Sequence, residues 1–240
     1  GTFVNTAQFS LASGTAYALS VSATAVSVAN RATISDLVIR VVDASGNVIP
    51  DSTAQISAAV SGVTLSGTAV RFATDGVATF SGLVLSGPAG SYNLGFSSTG
   101  LVAATVSVTV AHGEASYVTI TSSATAKNAQ ALASQPVVKI YDADGNLVTT
   151  GSQSTQTVEL IVSPGTLTGV TAISASGGIA TFSGVAIEGS TGSKTITARI
   201  YSPSTLAANQ VVELGVGAAT KLTLETPGAC LLYTSPSPRD

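Results

Sequence analysis

Gly76-Val-Ala-Thr-Phe80-Ser-Gly82-Leu83 and Gly178-Ile-Ala-Thr-Phe182-Ser-Gly184-Val185 are one motif written twice, 102 residues apart. Upstream, Asp43-Ala-Ser45-Gly46-Asn47 returns as Asp142-Ala-Asp144-Gly145-Asn146, 99 residues apart, so three residues enter between the two motifs of the second copy. The loop around Thr150 to Thr155 is their expected place, because lengthening a surface turn costs little closure entropy. Further out, Gly14-Thr-Ala-Tyr-Ala-Leu19-Ser-Val21, Gly113-Glu-Ala-Ser-Tyr-Val118-Thr-Ile120 and Gly217-Ala-Ala-Thr-Lys-Leu222-Thr-Leu224 mark three starts of the same unit. A period this long exceeds that of solenoids and predicts a string of independently folded domains.

The repeat assigns residues 14–112 and 113–216 to two complete units and residues 217–229 to the start of a truncated third. Residues 1–13 read as the end of a preceding repeat, since Phe9-Ser-Leu11 matches the closing strand Val108-Thr-Val110. Residues 230–240, CLLYTSPSPRD, break the pattern, resemble a translated transposase-type sequencing adapter, and are set aside from fold reasoning. They carry the only cysteine, so the rest of the chain has no disulfide framework. The chain opens on Gly and contains no Met, as expected of the interior of a longer reading frame or of a processed chain, and the lack of a signal peptide therefore says nothing about location.

Within a unit, apolar residues alternate with polar ones between clusters of Gly, Asp, Asn and Ser, the signature of short strands with one buried face. Ile39 and Val41 correspond to Val138 and Ile140, with Arg40 and Lys139 on the opposite face. Ile56, Ala58 and Val60 correspond to Val158, Leu160 and Val162, with Ser57 and Glu159 expected to face water. Ala78 with Phe80, Leu94 with Phe96, and Val108 with Val110 recur as Ala180 with Phe182, Ile196 with Ala198, and Val212 with Leu214. No capped amphipathic helix is visible, and the abundance of Val, Thr, Ile and Ser suits pleated surfaces. The fold class expected is all-β, as tandem immunoglobulin-like antiparallel β-sandwich domains of seven or so strands each.

Composition narrows the chemistry. Nine Lys and Arg against twelve Asp and Glu give the 240-residue chain a net charge of -3, which argues against nucleic acid as a partner because counterion release needs a basic surface. Charged residues make up 9 % and apolar ones 45 %, the opposite of a disordered composition. One His, one Cys and no Trp leave few parts for metal sites or nucleophilic dyads. Sparse charge also leaves edge strands with few gatekeepers against self-association, and no Asn-x-Ser/Thr sequon occurs.

Asp-x-x-Gly-Asn after a strand, then Leu-x-Gly (Leu65 to Gly67, Leu167 to Gly169), then Gly-x-Ala-Thr-Phe-Ser-Gly together resemble the bacterial immunoglobulin-like repeats of invasin- and intimin-type proteins and large secreted repeat proteins. The likeness covers nearly all of residues 14–229. It implies an extracellular or cell-surface stalk or adhesive array, in which most repeats space a terminal domain away from the cell.

Individual residues yield few candidates for a site. Asp142, Asp144 and Asn146 invite a calcium reading, but Gly comes too early, no acid follows until Glu159, and Ser45 stands where the second copy has Asp144. A hairpin turn, with Asp bonding the backbone ahead of it, is the reading preferred. His112 lies at the predicted junction and reads as a solvated linker residue, since Ser13 and Val216 occupy its equivalent positions. Phe80 and Phe182 read as core. Tyr17, Tyr92, Tyr117, Tyr141 and Tyr201 are candidate contacts for carbohydrate or protein on a polar sheet face.

No catalytic, cofactor-binding or metal-ligating residue is assigned, and no cofactor is expected. The function expected is a non-catalytic spacer or adhesive segment, its partners the neighbouring repeats, without membrane contact in this stretch. A glycan- or protein-binding module and an accessory region of a secreted hydrolase are the alternatives. Junctions as short as Ala111 to Ala115 and Gly215 to Ala219 predict a jointed, semi-rigid rod.

Overall fold

The computed structural model describes residues 14–202, 204–219 and 221–223. The expectations placed on residues 1–13, on 220 and 224–229, and on 230–240 lie outside the described residues. The first unit runs through β1 (Ala18–Val21), β2 (Ala25–Ala29), β3 (Leu37–Val42), β4 (Gln55–Ala59), β5 (Thr64–Ser66), β6 (Val70–Phe72), β7 (Val77–Phe80), β8 (Val84–Ser86), β9 (Gly90–Ser97) and β10 (Ala104–Ala111). The second repeats the series as β11 (Ala115–Thr121), β12 (Thr125–Lys127), β13 (Val137–Asp142), β14 (Thr157–Ser163), β15 (Thr166–Thr168), β16 (Ala172–Ser174), β17 (Ile179–Thr181), β18 (Ala186–Glu188), β19 (Gly192–Ile200) and β20 (Leu206–Gly215).

Each unit is a sandwich of the same topology. In the first, the sheet β1-β3-β7 faces the sheet β2-β10-β9-β4-β6, with β5 and β8 as a separate ribbon. In the second, β11-β13-β17 faces β12-β20-β19-β14-β16, with the ribbon β15-β18. The alternating residues of the two sheets form two separate buried clusters, one from Leu19 to Val110 and the other from Ala115 to Leu214. Ile39 lies opposite Ala78 and Leu37 opposite Phe80 in the smaller sheet, and Val138 opposite Ala180 in its counterpart.

Two details depart from the alternation pattern. Between strands, pairing is antiparallel except where β2 runs parallel to β10 and β12 parallel to β20, and an isolated bridge from Ala18 to Val102 is also parallel. The chain leaves the first sheet at Ser22 and enters the other without reversing, so one apparent strand supplies two. Ser57 and Glu159 are half-buried rather than in water, and the Glu159 carboxylate accepts a 2.6 Å hydrogen bond from the Tyr201 hydroxyl. That contact raises the Tyr201 pKa, because the phenol is held as a donor beside a negative charge.

The repeated glycines have a steric cause. Gly67 (φ 99°) and Gly169 (φ 88°) end the Leu-x-Gly motif in the left-handed region. A Cβ at either would collide with the carbonyl oxygen of Gly82 or Gly184, the glycine that closes the second motif. The two motifs are therefore the two sides of one close backbone approach.

Candidate functional site at the joint between the units

The Asp-x-x-Gly-Asn segment is a tight turn after β3 and after β13. In the second unit the Asp142 amide donates to Asn146 O (2.9 Å), and the Gly145 amide donates to Asp142 O (3.2 Å). Asp142 Oδ1 accepts the amides of Asp144 and Asn146, each at 2.9 Å. The other oxygen, Oδ2, takes the Gly113 amide at 2.8 Å and the Asn146 side-chain amide at 2.9 Å. Asp43 is built the same way, with Ser45 and Asn47 amides on Oδ1 and the Gly14 amide on Oδ2. One carboxylate thus ties the turn to the first residue of its own unit.

The second turn does more, because the first unit reaches into it. Asn30 follows β2 and is buried; its Nδ2 donates to Asp142 Oδ2 at 2.9 Å and to Asp144 Oδ2 at 2.7 Å. Its Oδ1 accepts the Gly87 amide at 3.1 Å, which fixes the orientation of the side-chain amide. Arg31, held at φ 64°, forks onto Asp144 through Nε and an Nη at 2.8 and 2.7 Å. From the other side, Asn146 Nδ2 donates to Gly87 O at 3.0 Å, and its Oδ1 accepts the Ala89 amide at 2.7 Å. The turn is therefore held against the loop from Ser86 to Ala89 as well as against the end of β2.

The linker is bonded too. His112 Nε2 accepts the Thr150 amide at 3.2 Å and lies 2.8 Å from Thr150 Oγ1, while Nδ1 lies 3.0 Å from Gly113 O. Because Nε2 must accept, Nδ1 carries the proton and donates. The expectation of a solvated linker histidine is corrected: the ring is half-buried and tied to the second unit. The three-residue insertion has a role here as well, since this stretch forms the four-residue 3-10 turn Ser152–Thr155. Gln153 in that turn accepts the Ala115 amide at 2.5 Å and donates to Glu114.

The electrostatics follow from the donors. Burial pushes the Asp142 carboxyl up, but Asn146, Gly113 and Asn30 together outweigh it, and the pKa falls below its ordinary value. Hydrogen bonds from Arg31 and Asn30 hold Asp144 down to about 2. The Gly14 amide and the Asn47 side chain do the same for Asp43, also to about 2. Arg31 is in turn raised by Asp144. The oxygens of Asp142 and Asp144 that a cation would need face N–H groups instead. Among the described residues no group of three or more His, Cys, Asp or Glu converges.

Of the other candidates, Phe80 packs edge-on against Phe96 with ring centroids 5.0 Å apart, and Phe182 is buried. Tyr92 packs on the first core and donates to Pro88 O at 2.7 Å. Tyr117 and Tyr141 stack on each other across β11 and β13. Tyr17 and Tyr201 are exposed and belong to different units. The tyrosines therefore do not form one platform. Asn30, Arg31 and Gln153 are the joint residues that sequence reasoning missed. The available signal was that Arg31 and Asp144 are both charged where the other copy has Ala129 and Ser45.

No protein-family model matches the sequence, and no curated protein matches it. Among solved structures the chain is similar to FdeC, an Escherichia coli adhesin, at 17 % identity over 84 % of this chain and 65 % of that one, with a TM-score of 0.42. It thus spans just under two thirds of the FdeC chain. It is also similar to the D00-D0 domain of intimin, at 12 % identity over 81 % of this chain and 98 % of that one, TM-score 0.41. A β-glycosidase from Bacteroides vulgatus matches at 13 % identity over 83 % of this chain and 25 % of that one, TM-score 0.38.

Proposed function

We propose that the chain is a non-catalytic stretch of a secreted or surface-anchored protein, in which units 14–112 and 113–216 are held end to end as a spacer or adhesive array. The observation that carries this reading is the clasp of Asn30 and Arg31 on Asp142 and Asp144, reinforced by Asn146 on the Gly87–Ala89 loop. A linker that only tethered would leave its neighbours free. Here the side chains on both sides of residues 111–115 are committed to one another, which is what holding distance demands. Asp142 and Asp144, which share the Asn30 amide, serve that clasp rather than facing each other across a cleft as a glycosidase pair would. The likeness of the turn and core motifs to invasin- and intimin-type repeats supports a location outside the cell or on its surface, with neighbouring repeats as the first partners.

The test is a distance measurement between units. With Cys230 replaced by Ser, spin labels at the exposed positions Thr105 and Ser193 are expected to give a narrow distance distribution by double electron–electron resonance. Asp142→Ala broadens it. A broad distribution in the chain that keeps Asp142 would sink the reading.

A further inference from the structure

The second unit ends as the first does, although no clasp is closed there among the described residues. Asn128 follows β12 as Asn30 follows β2, and its amide donates to Gly215 O at 3.0 Å as that of Asn30 does to Ala111 O at 2.9 Å. Its Oδ1 accepts the Gly189 amide at 3.0 Å, the counterpart of the Gly87 bond. The next residue, Ala129, takes φ 61° and donates to Ile187 O, as Arg31 at φ 64° donates to Leu85 O. With Oδ1 fixed, the Nδ2 of Asn128 is turned outward as in Asn30, where the same group grips Asp142 and Asp144. Near it, along the ends of β12 and β20, lies a groove lined by Ala126, Lys127, Gln130 and Gly215. At the first unit's end a groove lined by Ala29 to Ala32 is walled by Gly113, Glu114 and Asp142 of the second unit. The chain also leaves by the same path: a Cβ at Gly217 would collide with Asn128 O, as one at Gly113 would crowd Asn30 O at 2.7 Å.

The mating half of such a joint exists in the first unit. Gly14 and the Asp43–Asn47 turn carry the internal bonds of the Gly113 and Asp142–Asn146 face and lack only those made with Asn30, Arg31 and the Gly87–Ala89 loop of a preceding unit. The chemistry at the variable position changes on both sides together. Arg31 meets Asp144 at the closed joint; Ala129 stands at the end of the second unit, and Ser45 at the face of the first unit. An aspartate docked against Ala129 would lose the fork that holds Asp144, whose side chain is 18 % exposed, and a charge so enclosed without its partner is costly.

We propose that the Asn128 end of the second unit is a docking face for a following repeat whose turn is of the uncharged Asp-x-Ser-Gly-Asn kind, so that the array alternates charge-locked and neutral joints. This rests on reading the chain as a clasped array. The test joins the protein through Val216 directly to a second copy of residues 14–112, so that Gly14 falls where Gly217 stands, with labels placed to report both joints in separate samples. A narrow distribution is expected at the new joint, broadened by Asn128→Ala. Ser45→Asp in the appended copy is expected to broaden it as well, and adding Ala129→Arg to restore it. Indifference of the new joint to Asn128→Ala, or tightening by Ser45→Asp alone, would overturn the proposal. A new joint that is broad while the joint at Asp142 is narrow overturns this proposal alone; a broad joint at Asp142 overturns the array reading on which it rests.

Discussion

The first unit sets Ala58 opposite Phe96 across β4 and β9, and the second sets Leu160 opposite Ala198 across β14 and β19. All four side chains are buried. One sandwich puts the large side chain on the later strand and the other puts it on the earlier, so a cross-strand pair keeps roughly its volume while its members exchange size. The joint residues behave differently. Arg31 and Asp144 have no charged counterparts in Ala129 and Ser45, and nothing within a unit compensates the change. A core must fill its space whichever strand supplies the atoms, whereas a joint residue answers to the unit on the other side.

The largest effect should come from the core pair. Phe96→Ala is expected to cost the first unit about 3–5 kcal/mol in denaturant unfolding, through lost burial, an unfilled cavity and the lost edge-on contact with Phe80. Ala58→Leu alone should overpack the site and cost about 1–3 kcal/mol. Combined, the two changes copy the second unit and should recover more than half of the Phe96→Ala loss. A double variant no more stable than Phe96→Ala would break the comparison.

Acid should separate joint from core next. Carboxyl groups whose pKa is lowered in the closed joint favour closure above their open-state value and lose that contribution as pH falls through the lowered one. For Asp144, whose chief partners Arg31 and Asn30 come from the other unit, the window runs from 3.8 down to about 2; Asp142 is held down chiefly by Asn146 and Gly113 of its own unit and adds only its Asn30 bond to the linkage. Distance distributions between the units are expected to broaden across this window and to remain narrow above it. A joint unchanged at its lower edge would show that packing, not the carboxylates, holds the units.

Arg31→Ala is expected to act more weakly than acid, since it removes one partner from one carboxylate and Asp144 keeps its bond from Asn30. It should widen the distribution modestly, concentrated salt should imitate it, and Asp144→Ser should reverse it. The smallest effect is expected from calcium. At about 1 mM, where extracellular calcium modules respond, neither the distance distribution nor the thermal midpoint should move, because N–H donors occupy the Asp142 and Asp144 oxygens. A saturable rise in either would return the turn to the ion-binding reading.

Much of the sandwich was legible because burial enforces period two. Ile39, Val41, Phe80, Leu94 and Val108 announce their faces, and all are buried. The switch of β1 into β2 was not legible, since a strand that changes sheets keeps its alternation. The 3-10 turn Ser152–Thr155 was visible only as three extra residues; that it carries Gln153 to Ala115 depends on where the linker passes. The Asp142 turn was readable from Asp, Gly and Asn, yet its second role was hidden. Asn30 lies 112 residues away in sequence from Asp142, and only the folded repeat brings the end of β2 beside the next unit's turn. Tyr117 and Tyr141, read as separate surface aromatics, are opposed residues whose register was needed to pair them.

The parallel strand pairs also decide how the beads would yield to a pull. Traction on the chain from both sides drags β2 and β10 past one another lengthwise, so their ladder is loaded in shear and its bonds share the force rather than opening singly. That ladder engages five residue pairs, from Ala25 with Ser107 to Ala29 with Ala111. Its twin between β12 and β20 engages three, from Thr125 with Glu213 to Lys127 with Gly215, so the two beads oppose the same tension with ladders of unequal length.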